Sequence, residues 1–196
     1  MTKASPLPRG FKAKAERLAA GCRNDLQLHV CAPLCAFKLA EHLKIPIYPA
    51  TEFIKDPSEI RKLLGTETSD SGWSALTMPT KKKNRIIIHN PFHSSARQQS
   101  NLMHELAHVL CDHKYTTTHV GFNIPMGMRF HDEQQEGEAN YLGSCLQVTR
   151  PGLLWALKKK MSIPEIAAYF TASVDMVNFR INSTGVRRQL SYYGNS

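Results

Sequence analysis

Apolar residues recur every three or four positions along most of the chain, with polar residues between them. This spacing is typical of amphipathic helices that bury one face in a common core. Asp56-Pro57-Ser58-Glu59 is a typical helix start, and Gly21 and Gly65 are typical helix ends. The predicted helices cover residues 11–20, 33–43, 56–64, 96–113, 132–149, 151–157, 162–170 and 174–181.

Three short segments have the composition of β-strands. Ile45–Pro49 contains two prolines, which suit the edge of a sheet. Trp73–Met78 and Arg85–His89 are expected to form a hairpin through residues 79–84. The sequence therefore predicts an α+β fold with a small antiparallel sheet and a helical C-terminal tail.

The length of 196 residues suits one domain with a small addition. We expect a flexible arm over residues 1–10, a main domain over residues 11–150 and a helical subdomain over residues 151–196 that packs on it. The subdomain resembles a helix-turn-helix unit. Its second helix carries only Asp175 and Arg180 as charged residues, whereas a helix that reads DNA usually has more donors. Packing on the main domain is therefore favoured over DNA reading.

Composition indicates a compartment and a class of partner. No run of about 18 apolar residues occurs, so we expect no membrane span. The N-terminus lacks the apolar segment of a secretory signal, and the five cysteines form no CxxC pair. Both features favour a reducing cytoplasm. The net charge of +9 suits a polyanionic partner such as nucleic acid, although it also serves solubility.

The most informative segment is His104-Glu105-Leu106-Ala107-His108, an HExxH motif inside an apolar run. Residues four apart on a helix lie on one face, so His104 and His108 can bind one zinc ion at about 2.0–2.1 Å. Glu105 can reach a water on that ion and act as general base. The alternative is an exposed helix with a histidine pair, but the flanking apolar residues indicate burial, where unpartnered polar groups are costly.

A catalytic zinc ion needs a third protein ligand from another segment. Glu133, Glu136 and Glu138 all lie at or near the start of the next predicted helix. Glu138 shares a face with apolar residues at i+4, i+7 and i+8, and this face is expected to point to the core. Glu138 is therefore the preferred ligand. Glu136 is the next candidate, because Asn140 and Gly143 make its face less apolar.

Four segments occur in an order that is shared with a known family: Gly72-Trp73-Ser74, Ile86-Ile87-Ile88-His89-Asn90, the HExxH motif and Glu136-Gly137-Glu138-Ala139-Asn140. In these segments the chain resembles the ImmA/IrrE family of zinc metallo-endopeptidases. The resemblance extends over roughly residues 11–185. It implies a zincin-like core, that is, an α+β metalloprotease fold built around the HExxH helix.

The resemblance also implies a site and a function. It assigns His104, His108 and Glu138 to Zn²⁺ and Glu105 to the role of general base. Family members typically cleave a helix-turn-helix transcriptional repressor after DNA damage or signals from phages and other mobile elements. We therefore expect a cytoplasmic endopeptidase with such a repressor as its protein substrate. Single-stranded DNA is a candidate activator, because it suits both the positive charge and a damage signal.

Several other residues are candidates for roles near this motif. Cys111 lies on the same predicted helical face as both histidines and could inhibit the enzyme by binding zinc, although a buried free thiol is commoner. The segment after the motif contains three candidates for oxyanion stabilisation: Tyr115, His119 and His131. The remaining histidines are expected to be surface or core residues rather than ligands: His29, His42, His89, His93 and His113.

Two other classes of function are compatible with the same sequence. One is a DNA-binding regulator that uses the C-terminal helices, and the other is a protein-binding module with a structural zinc site. The peptidase prediction differs from both because it requires Glu105 for cleavage of a peptide bond.

Overall fold

The computed structural model describes residues 7–64, 73–80, 84–113 and 132–193, and for residues 191–193 it describes the backbone alone. A 3₁₀ turn covers Ala50–Glu52. The helices and strands, in chain order, are α1 (Phe11–Asp25), α2 (Ala36–His42), β1 (Ile47–Pro49), α3 (Pro57–Leu64), β2 (Ala75–Pro79), β3 (Arg85–His89), α4 (Ser95–Leu110), α5 (Glu133–Gln147), α6 (Arg150–Lys158), α7 (Ile163–Phe170), α8 (Val174–Thr184) and α9 (Val186–Tyr193).

The strands form a three-stranded sheet in the order β1-β3-β2. The predicted antiparallel pairing holds for β2 and β3, which align Thr77 with Ile87. In contrast to the predicted antiparallel sheet, β1 runs parallel to β3 and aligns Ile47 with Ile87. Parallel neighbours require a long crossover, and α3 with β2 supplies it here. The α+β class is confirmed, but the sheet is mixed.

The helix α4, which carries the HExxH motif, packs against the sheet on one side and α5 on the other. Its buried residues join α1, α2, β3 and α5 in one hydrophobic core that includes Leu39, Ile87, Leu102, Met103, Leu106, Leu142 and Leu146. The helices α4 and α5 approach each other closely at Gly143. A Cβ atom on this residue would lie 3.1 Å from the His104 backbone nitrogen and 3.2 Å from the Met103 carbonyl carbon. Gly143 therefore lets α5 lie directly against the first histidine of the motif.

We expect Gly143→Ala to lower the free energy of unfolding by about 1–3 kcal/mol, because the added methyl group meets backbone atoms that cannot rotate away. The matched control is Gly21→Ala within α1, where an added Cβ atom has nothing within 4 Å. This control should raise stability by about 0.5–1 kcal/mol through helix propensity. Urea unfolding of the two variants measures both effects. Equal effects would show that α4 and α5 do not approach as closely as described.

The C-terminal helices enclose a second hydrophobic cluster, which contains Val148, Leu153, Ile166, Phe170, Val177 and Ile181. Arg180 connects this cluster to the first one. Its side chain is fully buried, donates from Nε to the Val148 carbonyl at 2.8 Å, and forms an ion pair with Glu16 on α1. Removing one partner of a buried ion pair is costly, so this contact holds the C-terminal helices on α1 and α5.

Several observed helices differ from the predicted ones. The first helix continues through Gly21 to Asp25, the motif helix ends at Leu110 rather than His113, and α9 was not predicted. The break between α7 and α8 agrees with the helix-turn-helix-like pattern, with Thr171 in the left-handed region at φ 50°. All five cysteines are free. None of the described helices is long and apolar enough to cross a membrane.

Candidate metal centre

The two histidines of the HExxH motif lie side by side on α4. Leu102, Met103 and Leu106 anchor the helix in the core, which turns His104 and His108 toward α5. The two Nε2 atoms lie 3.1 Å apart. The His108 side chain is 7% exposed and that of His104 is 23% exposed, so the pair is partly open to solvent.

The carboxylate that meets this pair belongs to Glu136 in the first turn of α5. Its Oε2 lies 3.3 Å from His104 Nε2, and its Oε1 lies 3.4 Å from His108 Nε2. Hydrogen bonds from the two imidazoles hold the pKa of the Glu136 carboxyl well below its usual range. The carboxyl is therefore ionised at neutral pH, which is the state that a metal ligand requires.

The spacing of these donors fits a metal ion. Ligand atoms about 2.1 Å from a tetrahedral zinc ion lie roughly 3.4 Å from one another. The three measured separations, 3.1, 3.3 and 3.4 Å, are close to that value. Two imidazoles with one carboxylate are also the ligand set of known catalytic zinc sites. We call His104, His108 and Glu136 the candidate metal centre.

This geometry brings Glu136, and not the predicted third ligand Glu138, to the two motif histidines. Glu138 Oε2 lies 3.2 Å from His113 Nε2, and its other oxygen accepts a hydrogen bond from Gln134 Nε2 at 2.8 Å. The physical reason is the close approach of the helices at Gly143, which is seven residues after Glu136. A small residue marks the face that lies nearest a neighbouring helix, and apolar content alone does not reveal it.

Glu105 is 3% exposed and points to the sheet. Its Oε2 accepts hydrogen bonds from the Thr77 backbone N–H at 2.9 Å and from the Thr77 hydroxyl at 2.5 Å. The edge strand β2 therefore fixes the carboxylate of the motif glutamate. These contacts place the predicted general base between the motif helix and a strand edge.

His113 lies just beyond α4 and contacts the candidate metal centre from behind. Its Nδ1 is 2.9 Å from His108 Nδ1, and its side chain is 7% exposed. Burial lowers the pKa of the His113 imidazole, which favours its neutral form. From the sequence, His113 was expected to be a surface or core residue rather than a ligand.

Residues 62–182 match the family model of the IrrE N-terminal-like domain, Peptidase_M78. The matched segment is more than half of the chain. The chain belongs to the Peptidase_M78 family. No curated protein matches the chain significantly.

The Peptidase_M78 match begins within α3 and ends within α8. It therefore includes β2, the helices α4 and α5, and all three residues of the candidate metal centre. It confirms the predicted resemblance to the ImmA/IrrE family. Membership of Peptidase_M78 supports a metallopeptidase function, and the histidine and glutamate donors are the residues that could serve it.

The predicted inhibitory cysteine of this Peptidase_M78 chain lies apart from the candidate metal centre, and the predicted oxyanion stabilisers are not among the described residues. Cys111 groups with His113 and Glu138, with donor atoms within 4.8 Å of one another, and not with the candidate metal centre. Burial raises the pKa of the Cys111 thiol, which disfavours the thiolate that would bind metal. Three predicted oxyanion stabilisers lie outside the described residues: Tyr115, His119 and His131.

The neighbouring histidines on β3 and in the turn after it have structural contacts. His89 is buried and packs edge-on against the Phe37 ring, with centroids 5.6 Å apart. His93 lies 3.3 Å from the side-chain nitrogens of Asn90 and Asn101. Neither residue belongs to a group of potential metal ligands within the described part of the chain.

Proposed function

We propose that this protein is a zinc-dependent endopeptidase that cleaves a helix-turn-helix transcriptional repressor in response to DNA damage or to phage and mobile-element signals. The observation that carries the peptidase part is the spacing of His104, His108 and Glu136, which matches a tetrahedral metal site. Family membership supports the reaction class. The repressor and its signals are proposed from the resemblance to the ImmA/IrrE family.

The proposed chemistry is hydrolysis of a peptide bond. His104, His108 and Glu136 would hold the zinc ion, and Lewis-acid polarisation of the scissile carbonyl and of water is the chemistry that a bound zinc ion supplies. Glu105 takes the proton from the attacking water and delivers it to the nitrogen of the leaving amine. The two hydrogen bonds from Thr77 hold the Glu105 carboxylate in place during this exchange.

The edge strand β2 is the proposed binding site for an extended substrate. The central strand β3 is paired on both sides, so it has no edge for an added strand. Among the described strands, β2 has one neighbour, and its Thr77 contacts Glu105. A peptide that adds to the outer edge of β2 would lie beside the catalytic carboxylate and pair with backbone groups other than the Thr77 N–H, which is donated to Glu105.

Single-stranded DNA is the proposed activator. The net charge of +9 favours a polyanion, and exposed lysines occur at the end of α6, at Lys158, Lys159 and Lys160. Binding of this kind is sensitive to salt, because it releases counterions from the phosphate backbone. Activation should therefore be strongest at low ionic strength.

The test is incubation of the zinc-loaded full chain with a helix-turn-helix repressor encoded beside it, with and without single-stranded DNA at low salt. We expect one internal cleavage, detected by intact-mass measurement, that is faster with DNA and is abolished by a chelator. Absence of cleavage by the zinc-loaded chain under both conditions would refute repressor cleavage. An equal rate with and without DNA would refute the activator.

A DNA-binding regulator is the second candidate, since α7 and α8 form a helix-turn-helix-like pair. The structure provides little support for DNA reading, because Arg180, the one basic residue of α8, is fully buried in the ion pair with Glu16. Sequence-specific binding of duplex DNA by the full chain would favour this second candidate over the peptidase.

A further inference from the structure

A line of polar contacts begins at His108 of the candidate metal centre and passes through two further side chains. His108 Nδ1, on the ring edge opposite the metal-facing Nε2, lies 2.9 Å from His113 Nδ1. His113 Nε2 lies 3.2 Å from Glu138 Oε2. The His108 and His113 ring planes meet at 73°, with ring centroids 5.0 Å apart. The three side chains therefore form one line of polar contacts that ends on a carboxylate.

The backbone at the end of α4 places His113 in this line. Asp112 adopts a left-handed conformation with φ 52°, its N–H bonds the Val109 carbonyl, and the His113 N–H bonds the His108 carbonyl at 3.0 Å. These bonds make a Schellman motif, which brings the second residue past the helix back onto the last turn. Arg85 fixes the turn by an ion pair with Asp112 at 2.6 Å.

Proton positions in the line follow from the metal-facing atom of His108. A histidine that binds metal through Nε2 keeps its proton on Nδ1. That N–H can donate only to an unprotonated His113 Nδ1, so the His113 proton is on Nε2 and faces the Glu138 carboxylate. Each contact then joins one donor to one acceptor, and Gln134 supplies a further donor to Glu138.

We infer that His113 and Glu138 are positioning residues for the metal ligand His108: they fix the orientation of its ring and keep its Nε2 free to bind the ion. This inference rests on the metal site of the proposed function. Partners behind a metal-bound histidine raise its basicity, and their loss typically lowers metal affinity about 10–100-fold. The two glutamates of α5 thus have different roles, since Glu136 faces the ion and Glu138 faces His113.

A second metal site made by Cys111, His113 and Glu138 is the competing explanation, because their donor atoms lie within 4.8 Å of one another. A metal on His113 Nε2 would place the His113 proton on Nδ1, opposite His108 Nδ1. His108 would then have to lose both of its ring protons while it binds the first ion. With one ion on the candidate metal centre, His108, His113 and Glu138 form hydrogen bonds that each join one donor to one acceptor, and His108 keeps its Nδ1 proton.

The test measures the affinity of the full chain for Zn²⁺ by competition with a chromogenic chelator. The new side chains in His113→Leu and His113→Asn have the same number and branching of heavy atoms, but only the asparagine can accept the His108 N–H. We expect His113→Leu to bind zinc about 10–100-fold more weakly and His113→Asn to recover most of the loss. Glu138→Gln should weaken binding about tenfold and serves if the leucine variant does not fold. His89→Leu, another buried histidine, is the control for stability alone.

The same titration gives the stoichiometry and separates the outcomes. One zinc ion per chain with the expected order of affinities supports the inference. Affinity that is unchanged in both His113→Leu and Glu138→Gln overturns it, as does a second ion that is lost in Cys111→Ser. A wild-type chain that binds no zinc overturns the proposed function too. Tight zinc binding without repressor cleavage refutes only the proposed function.

Discussion

Glu105→Gln is expected to lower the rate of peptide cleavage by about 10²–10⁴-fold, because the amide cannot take the proton of the attacking water. The substitution preserves shape, and the glutamine oxygen can still accept both hydrogen bonds from Thr77. The side chain is 3% exposed, so a bulkier change would damage the core. Cleavage of a peptide substrate by the zinc-loaded variant, compared with the wild-type chain, measures the loss.

Zinc affinity and unfolding by urea should be nearly unchanged in the same variant, since Glu105 is not part of the candidate metal centre. This combination separates a catalytic role from a structural one. A variant that binds zinc and cleaves at the wild-type rate would contradict the assignment of Glu105 as general base. Loss of zinc would instead show that Glu105 is a ligand.

The pairing of His104 with His108 could be predicted from the sequence because it depends on one helix. Helix geometry alone places residues four apart on one face, and the 3.1 Å separation of their Nε2 atoms agrees with this prediction. The strand pair β2 and β3 was predictable for the same reason, since a hairpin is a local structure. Local spacing therefore accounts for the motif and for the strands beside it.

The third carboxylate could not be predicted in this way, because it depends on how α5 is rotated against α4. The apolar residues at i+4, i+7 and i+8 favoured Glu138 as the residue on the inner face of α5. The face of α5 that packs against α4 is instead the one that bears Gly143. An added Cβ atom on this residue would lie 3.1 Å from the backbone of α4. Close helix packing selects small residues, so the same glycine that weakened the case for Glu136 is the feature that supports it.

The role of His113 depends on a single backbone conformation. A glycine after a helix predicts a left-handed residue, but here the residue is Asp112, with φ 52°. Nothing in the sequence pattern predicts that turn, and the helix was expected to continue to His113. In a continued helix, five residues at roughly 100° each would rotate His113 by roughly 140° beyond one full turn from His108. His113 would therefore lie on a different face of the helix. The turn is what brings the two imidazoles together.

Glu136→Gln is expected to lower zinc affinity by more than about 100-fold, which exceeds the 10–100-fold loss typical of outer hydrogen-bonding partners. The carboxylate is the one negative charge among the three donors, and both of its oxygens face imidazoles at 3.3 and 3.4 Å. An amide of the same shape removes that charge. Competition with a chelator measures the affinity, and metal analysis of the purified protein gives the occupancy.

Two matched substitutions on the same helix make this result specific. Glu138→Gln removes a carboxylate two residues away that contacts His113, and it should cost only about tenfold. Glu133→Gln removes an exposed carboxylate in the first turn and should leave affinity unchanged. The graded order follows from their contacts, since Glu136 meets both motif histidines, Glu138 meets His113, and Glu133 is exposed. If Glu138→Gln lost more affinity than Glu136→Gln, Glu138 would be the ligand and α5 would be rotated from the orientation described.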